Sequence, residues 1–72
     1  MITFGERLNE LRKAQPLTAD QLAEIVGVKR RIMFLYEKNE ARPSFDVLIA
    51  LADYFQVSLD YLVGRSNNRE IK

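Results

Sequence analysis

Residues 18–37 read Thr18-Ala19-Asp20-Gln21-Leu22-Ala23-Glu24-Ile25-Val26-Gly27-Val28-Lys29-Arg30-Arg31-Ile32-Met33-Phe34-Leu35-Tyr36-Glu37, and this stretch decides the fold. Thr18 followed by Gln21 is a capping box: the hydroxyl takes the amide three residues on, and the carboxamide returns a bond to the cap. Leu22 with Ile25 or Val26 then supplies a buried stripe at helical spacing. Gly27 stops that helix, because glycine turns into the left-handed region without a Cβ penalty. A third helix resumes almost at once and runs from about Arg30 to Glu37. Two short helices across a turn this tight cannot lie antiparallel, and they describe a helix-turn-helix over 18–37. Ala23 is small where the pair crosses, and Val28 with Met33 fills the angle. The second helix of the pair then stands proud of the body, where its outer face can enter a major groove.

The flanks extend the same helical punctuation. Thr3 and Glu6 form a capping box for a first helix carrying Phe4, Leu8 and Leu11 on one face, and Pro16 ends it near Ala14. Asn39 is a tolerated left-handed residue at the end of the third helix. Ser44 caps a fourth helix with Asp46 in its first turn and a broad apolar face of Phe45, Leu48, Leu51, Ala52 and Phe55. Ser58 and Asp60 open a short fifth helix holding Leu59, Leu62 and Val63, stopped by Gly64. Residues 65–72 read as a polar, frayed tail. No alternating stretch, repeat or linker interrupts this pattern. The fold class is all-α, five short helices around one core.

Composition narrows the chemistry. The chain has 72 residues without a cysteine or a histidine, which excludes disulfides, thiolate–imidazole metal sites and histidine-dependent triads. A core this small, covering about three-fifths of the unfolded surface, has no room for a deep cofactor cavity. Tyr54, Phe55 and Tyr61 therefore read as core, not as a ligand pocket. Asp46, Asp53, Asp60 and Glu70 read as caps or solvent groups, with no pair placed for general acid–base work. The chain is not expected to be an enzyme, and no cofactor, metal or small-molecule ligand is expected. The longest apolar run, Val47 to Ala52, has six residues, far short of a membrane span. A charged start at Glu6 and Arg7 leaves no signal-peptide core, so a cytoplasmic location is expected. One domain without a sensory partner leaves regulation to concentration, a partner protein or competition at the binding site.

Charge is unevenly distributed. Between Lys29 and Arg42 five bases face two acids, a local balance of +3, whereas the remainder carries six bases and eight acids, a balance of −2. The formal net charge of +1 conceals this asymmetry. A basic segment on an acidic body suits a polyanion, although a solvated surface would look the same from charge alone.

Several runs of the chain resemble the Cro/CI (Xre-type) helix-turn-helix family of phage repressors and bacterial regulators. They are Phe4-Gly5-Glu6-Arg7-Leu8, Leu11-Arg12, Leu17-Thr18, Gln21-Leu22-Ala23, Gly27-Val28, Tyr36-Glu37, Arg42-Pro43-Ser44, Leu48 to Phe55 and Val57 to Gly64. The resemblance covers residues 4–64 without gaps and implies a five-helix, lambda-repressor-like DNA-binding domain. It implies that Arg12 and Glu37 form a partly buried structural ion pair, with a secondary phosphate role open to Arg12. It implies that Lys29, Arg30, Arg31, Phe34 and Leu35 face the bases of double-stranded DNA and the backbone beside them. It places Thr18 and Ala19 at one phosphate, with Lys38, Asn39 and Arg42 along the backbone. It also implies a homodimer held through the fifth helix, with Leu59, Tyr61 and Leu62 at the interface.

Chemistry sorts these residues further. Arg30 or Arg31 can give guanine two parallel hydrogen bonds, worth about 1–3 kcal/mol of discrimination. Lys29, Lys38 and Arg42 suit phosphates, which add affinity and salt dependence without sequence choice. The amides at Thr18 to Asp20 form a natural anion site, which the Asp20 carboxylate partly opposes. The chain departs from the family in three places. Ala19 stands where a phosphate-gripping Gln is usual. Lys29 replaces a capping Ser or Thr, at a cost of about 1 kcal/mol. Ile32 to Tyr36 is apolar throughout, so with Met33 and Tyr36 inward, Phe34 and Leu35 are expected outward and Ile32 at the margin. Outward apolar groups here meet thymine methyls or dock on protein. The reading is a sequence-specific transcriptional regulator, a repressor on a near-palindromic operator, with an antitoxin-like or antirepressor-like protein-interaction module as the alternative.

Overall fold

The computed structural model describes residues 2–70 and contains five helices, with no strand among the described residues. They are α1 (Phe4–Ala14), α2 (Ala19–Val26), α3 (Arg30–Glu37), α4 (Phe45–Phe55) and α5 (Leu59–Leu62). Both capping boxes form: the Thr3 and Thr18 hydroxyls accept from the Glu6 and Gln21 amides at 3.2 and 3.1 Å. Ser44 and Ser58 cap α4 and α5 in the same manner. Lys29 occupies the cap position of α3 and gives it no side-chain bond, which is the local weakness expected of a lysine there. Gly27 ends α2 at φ 79°, and the Val28 amide reaches back to the Ala23 carbonyl at 2.9 Å.

Each helix contributes one fully buried aliphatic side chain to the centre: Leu8, Leu22, Met33, Leu51 and Leu62, joined by Val57 from the α4–α5 turn. Burial of each is worth about 1.5–3 kcal/mol, so the core is shared evenly among the helices and no single one dominates it. Helix α3 packs on both α1 and α2, while α4 packs on α2 and α5. This arrangement supports α3 from behind along its length. Between Ile25 and Val26 the stripe of α2 takes Val26, and Ile25 is exposed.

Two expectations about the fold need correction. Phe45 does not join the apolar face of α4. It is 69% exposed, because α4 at its first residue projects past the core on which Val47 and Leu48 of the same turn pack. The tail is also not frayed over residues 65–70. The Arg65 and Ser66 amides donate to the Asp60 carbonyl, and the Ser58 amide donates to the Arg69 carbonyl at 2.9 Å. Residues 71 and 72 of that expected tail lie outside the described residues. The anchor beneath it is Arg7, a buried side chain whose guanidinium lies 3.7 Å from the centre of the Tyr61 ring, with a long 3.4 Å contact to Asn67.

Candidate nucleic-acid interface

The buried end of α3 determines how its free end is presented. Arg12 and Glu37 meet as expected: Arg12 Nε donates to Glu37 Oε2 at 2.6 Å, and Nη2 donates to Oε1 at 3.0 Å. Their side chains are only 14% and 9% exposed. Asn9 adds a bond to the same carboxylate at 2.7 Å, and Arg12 Nη1 reaches the Leu17 carbonyl at 2.8 Å. The hydrogen bond to Glu37 raises the proton affinity of the Arg12 guanidinium above its ordinary value, against the opposing effect of burial. Three of its five N–H groups are used inside the fold, while its side chain also lines the open groove beside Thr18 and Asp20, so its first role is structural. The ring of Phe4 meets Tyr36 edge-on at 6.3 Å between centres, which closes the same junction.

Sequence reasoning missed what lets α1 come so close. A Cβ on Gly5 would lie 2.6 Å from the Glu37 carbonyl oxygen and 2.8 Å from that of Tyr36, so only glycine fits. The signal was present, since a glycine inside a helix costs about 1 kcal/mol against alanine and calls for a packing reason. Asn39 is the second missed element. Its φ is 61°, as a left-handed closing residue requires. Its carboxamide, expected on the DNA backbone, instead accepts from the Gly5 amide and donates to the Thr3 hydroxyl, both at 2.9 Å. It satisfies an orphan amide at the start of α1, and Asn39 is corrected to a structural residue.

With α3 fixed at that end, its opening turn faces outward. Lys29, Arg30 and Arg31 are all exposed, and so are Lys38 and Arg42 beyond the other end of the helix. Met33 and Tyr36 are buried as expected. Phe34 is 40% exposed and points out. Leu35 differs from expectation: it is half-buried, and Ile32 packs against the core margin. A helix of eight residues with neighbours on two sides has a narrow free face, and Phe34 lies within it where Leu35 lies at its edge.

The start of α2 forms the other wall of this surface. Thr18 is exposed, but the Ala19 side chain is buried, so any phosphate contact at Ala19 falls to its backbone. Helix geometry leaves the Ala19 and Asp20 amides without intrahelical acceptors. An open groove runs from Lys13 and Thr18 past Asp20 to Arg30 and Phe34. Across it Asp20 Oδ1 lies 3.2 Å from Arg30 Nε, with both side chains largely in solvent.

The expected interface on the fifth helix is corrected in part. Tyr61 and Leu62 are core residues, 8% and 0% exposed. Arg7 lies on the Tyr61 ring, with Arg69 at 5.5 Å from its centre. Only Leu59 of the three is exposed, and it borders the same shallow groove as Ile49 on α4. The described residues contain no cluster of carboxylates fit to hold a metal ion, and no helix among them is long and apolar enough to cross a membrane.

A five-helix body that holds a short cationic helix outward across a glycine turn defines a helix-turn-helix domain. The helix-turn-helix family model matches residues 8–62, and the chain belongs to that family. It is 39% identical over 69 residues to YobD of Bacillus subtilis (strain 168), an uncharacterized HTH-type transcriptional regulator, covering 96% of this chain and 62% of that protein. It is 34% identical over 65 residues to the HTH-type transcriptional regulator AnsR of the same organism, covering 90% and 56%. The chain thus spans about three-fifths of the length of these two curated relatives. Among solved structures, the P22 c2 repressor in complex with a synthetic operator superposes with a TM-score of 0.85 at 30% identity, covering 92% of this chain and all of that one. A transcriptional regulator from Listeria innocua gives 0.84 at 37% identity, covering 99% and 66%.

Proposed function

We propose that this chain is a sequence-specific, double-stranded-DNA-binding regulator of transcription, a cytoplasmic repressor that reads its site through α3. The observation that carries this reading is the exposed Lys29-Arg30-Arg31 turn at the free end of a helix whose other end is bolted down by Arg12, Glu37 and Asn39. A cationic helix start on a rigid mount is what a major groove accepts. The operator-bound repressor of similar fold supports the same reading. Arg30 and Arg31 read base edges, while Lys29, Lys38, Arg42, the Thr18 side chain and the Ala19 amide hold the backbone.

The regulator works as a homodimer on a near-palindromic operator. One eight-residue recognition helix buries too little surface for operator affinity, and a two-fold partner supplies a second half-site about 34 Å away. Phe45, Ile49 and Leu59 supply exposed apolar surface for that contact. Selection of bound sequences from a random duplex pool tests the whole reading. Enrichment of a near-palindromic site is expected, and absence of any enriched sequence at low salt overturns it. Ile49→Lys should weaken binding to the full site and leave half-site binding unchanged.

Phe34 favours a second reading, a protein-interaction surface on the same helix, because a large apolar side chain 40% exposed amid cations is unusual for a purely polar reader. Loss of a protein partner by Phe34→Ala with DNA affinity intact would favour that reading. A loss confined to sites with thymine at one position would assign Phe34 to the bases.

A further inference from the structure

Arg30 is held on two sides before any duplex arrives. On one side Asp20 Oδ1 lies 3.2 Å from its Nε. On another the guanidinium carbon lies 5.3 Å from the centre of the Phe34 ring, one helical turn along α3. The two carriers belong to different helices, α2 and α3, and meet only because of the tight turn at Gly27. Arg31, the neighbouring candidate reader, has no such ion pair among the described residues.

We infer that Asp20 is a specificity-determining positioning residue, which keeps Arg30 for base edges and away from phosphates. The inference rests on the DNA-binding reading above. A guanidinium offers two forks to a paired acceptor: a side-on fork through Nε and one η nitrogen, and an end-on fork through both η nitrogens. Asp20 occupies Nε, so the end-on fork is the one left to meet guanine N7 and O6. The carboxylate also cancels the charge that would draw Arg30 to the phosphate nearest the start of α2, where the free amides already attract one. Phe34 restricts the remaining swing of the side chain by stacking beneath it. Without Asp20, Arg30 becomes one more phosphate contact, which raises affinity for every sequence alike.

The test compares wild type, Asp20→Asn, Asp20→Ala, Arg30→Ala and the Asp20→Asn/Arg30→Ala double variant, each by selection from random duplexes and by binding to a fixed unrelated duplex across salt concentrations. Asp20→Asn should bind the unrelated duplex about five-fold tighter at low salt, with the slope of log affinity against log salt steeper by about 0.9, the value of one added phosphate contact. Base preference should flatten at the position that Arg30→Ala also flattens and stay unchanged elsewhere. Asp20→Ala should repeat this, and the double variant should show no flattening beyond Arg30→Ala alone. A general gain in affinity with the preference profile intact overturns the inference, since it makes Asp20 a mere surface charge. A wild type that enriches no sequence overturns the DNA-binding reading itself and this inference with it, and it is distinguishable because it appears before any variant is compared. Asp20 and Arg30 are both largely in solvent, so thermal melts of the variants should match wild type and show that folding is not being measured.

Discussion

Arg12 and Arg30 are the same side chain beside the same kind of partner, and they do opposite work. Arg12 meets Glu37 at 2.6 Å where both are nearly sealed from water, with Asn9 and the Leu17 carbonyl completing the bonding. Arg30 meets Asp20 at 3.2 Å with about two-thirds of its side chain in solvent. A nearly sealed pair held by several hydrogen bonds fixes geometry, and loss of either member strands a charge. An open pair is screened by water and salt and contributes little to stability, but it leaves the outer edge of the guanidinium free for a further acceptor. The α1–α3 junction is therefore a mount and the α2–α3 rim a reading edge, although charge counting along the chain cannot tell them apart.

Five substitutions test that division, the largest effect first. Glu37→Ala leaves the Arg12 guanidinium unpaired at a mostly closed junction and should cost about 3 kcal/mol in chemical denaturation, while Arg12→Met with Glu37→Leu should recover most of it. Failure of Glu37→Ala to lower stability would erase the distinction between the two arginines. Gly5→Ala comes next. Alanine is the better helix former, yet its Cβ would sit 2.6 Å from the Glu37 carbonyl, so a net loss of about 2 kcal/mol is expected from overpacking. A stabilised Gly5→Ala protein would mean that α1 and α3 are further apart than described.

At the reading edge the pattern inverts. Arg31→Ala should shift stability by less than about 0.5 kcal/mol while relaxing base choice by roughly tenfold at one position, near 1.4 kcal/mol. Lys38→Ala, in contrast, should weaken all duplexes alike and reduce the salt slope by about 0.9. A uniform loss with Arg31→Ala would move that residue to the backbone. The smallest effect is a trade. Lys29→Ser gives α3 the cap it lacks and should add about 1 kcal/mol to stability, with weaker DNA binding from the lost cation. A gain in stability with binding unchanged would remove Lys29 from the interface.

Helix ends were the most legible part of the chain, because capping is local. Thr3, Thr18, Ser44 and Gly27 each act on amides or carbonyls within a few residues, so short spacings sufficed to place them. Harder to read were residues whose partners are distant in sequence. Asn39 and Gly5 are 34 residues apart, and Arg7 reaches Asn67 across 60. The family resemblance puts Tyr61 and Leu62 at an interface although helical spacing already reads Tyr61 as core, and both are buried, with Arg7 of α1 and Arg69 of the returning tail against the Tyr61 ring. Phe45 fails in the other direction: it falls on the apolar stripe of α4, yet it is left mostly in solvent while Val47 and Leu48 of the same turn pack on the core. The Asp20–Arg30 contact was half visible, as an acid opposing an anion site, but its arginine partner was not.

The amino-acid order alone determined five helices, their limits, the tight turn at Gly27 and the concentration of positive charge after Val28, because these depend on backbone chemistry within a few residues and on composition. Tertiary structure decided which arginine is sealed and which is open, which aromatic residues are core and which project, and that Asn39 serves a cap and not a phosphate. Those outcomes depend on how much water remains around a group once helices meet, and no local spacing records that.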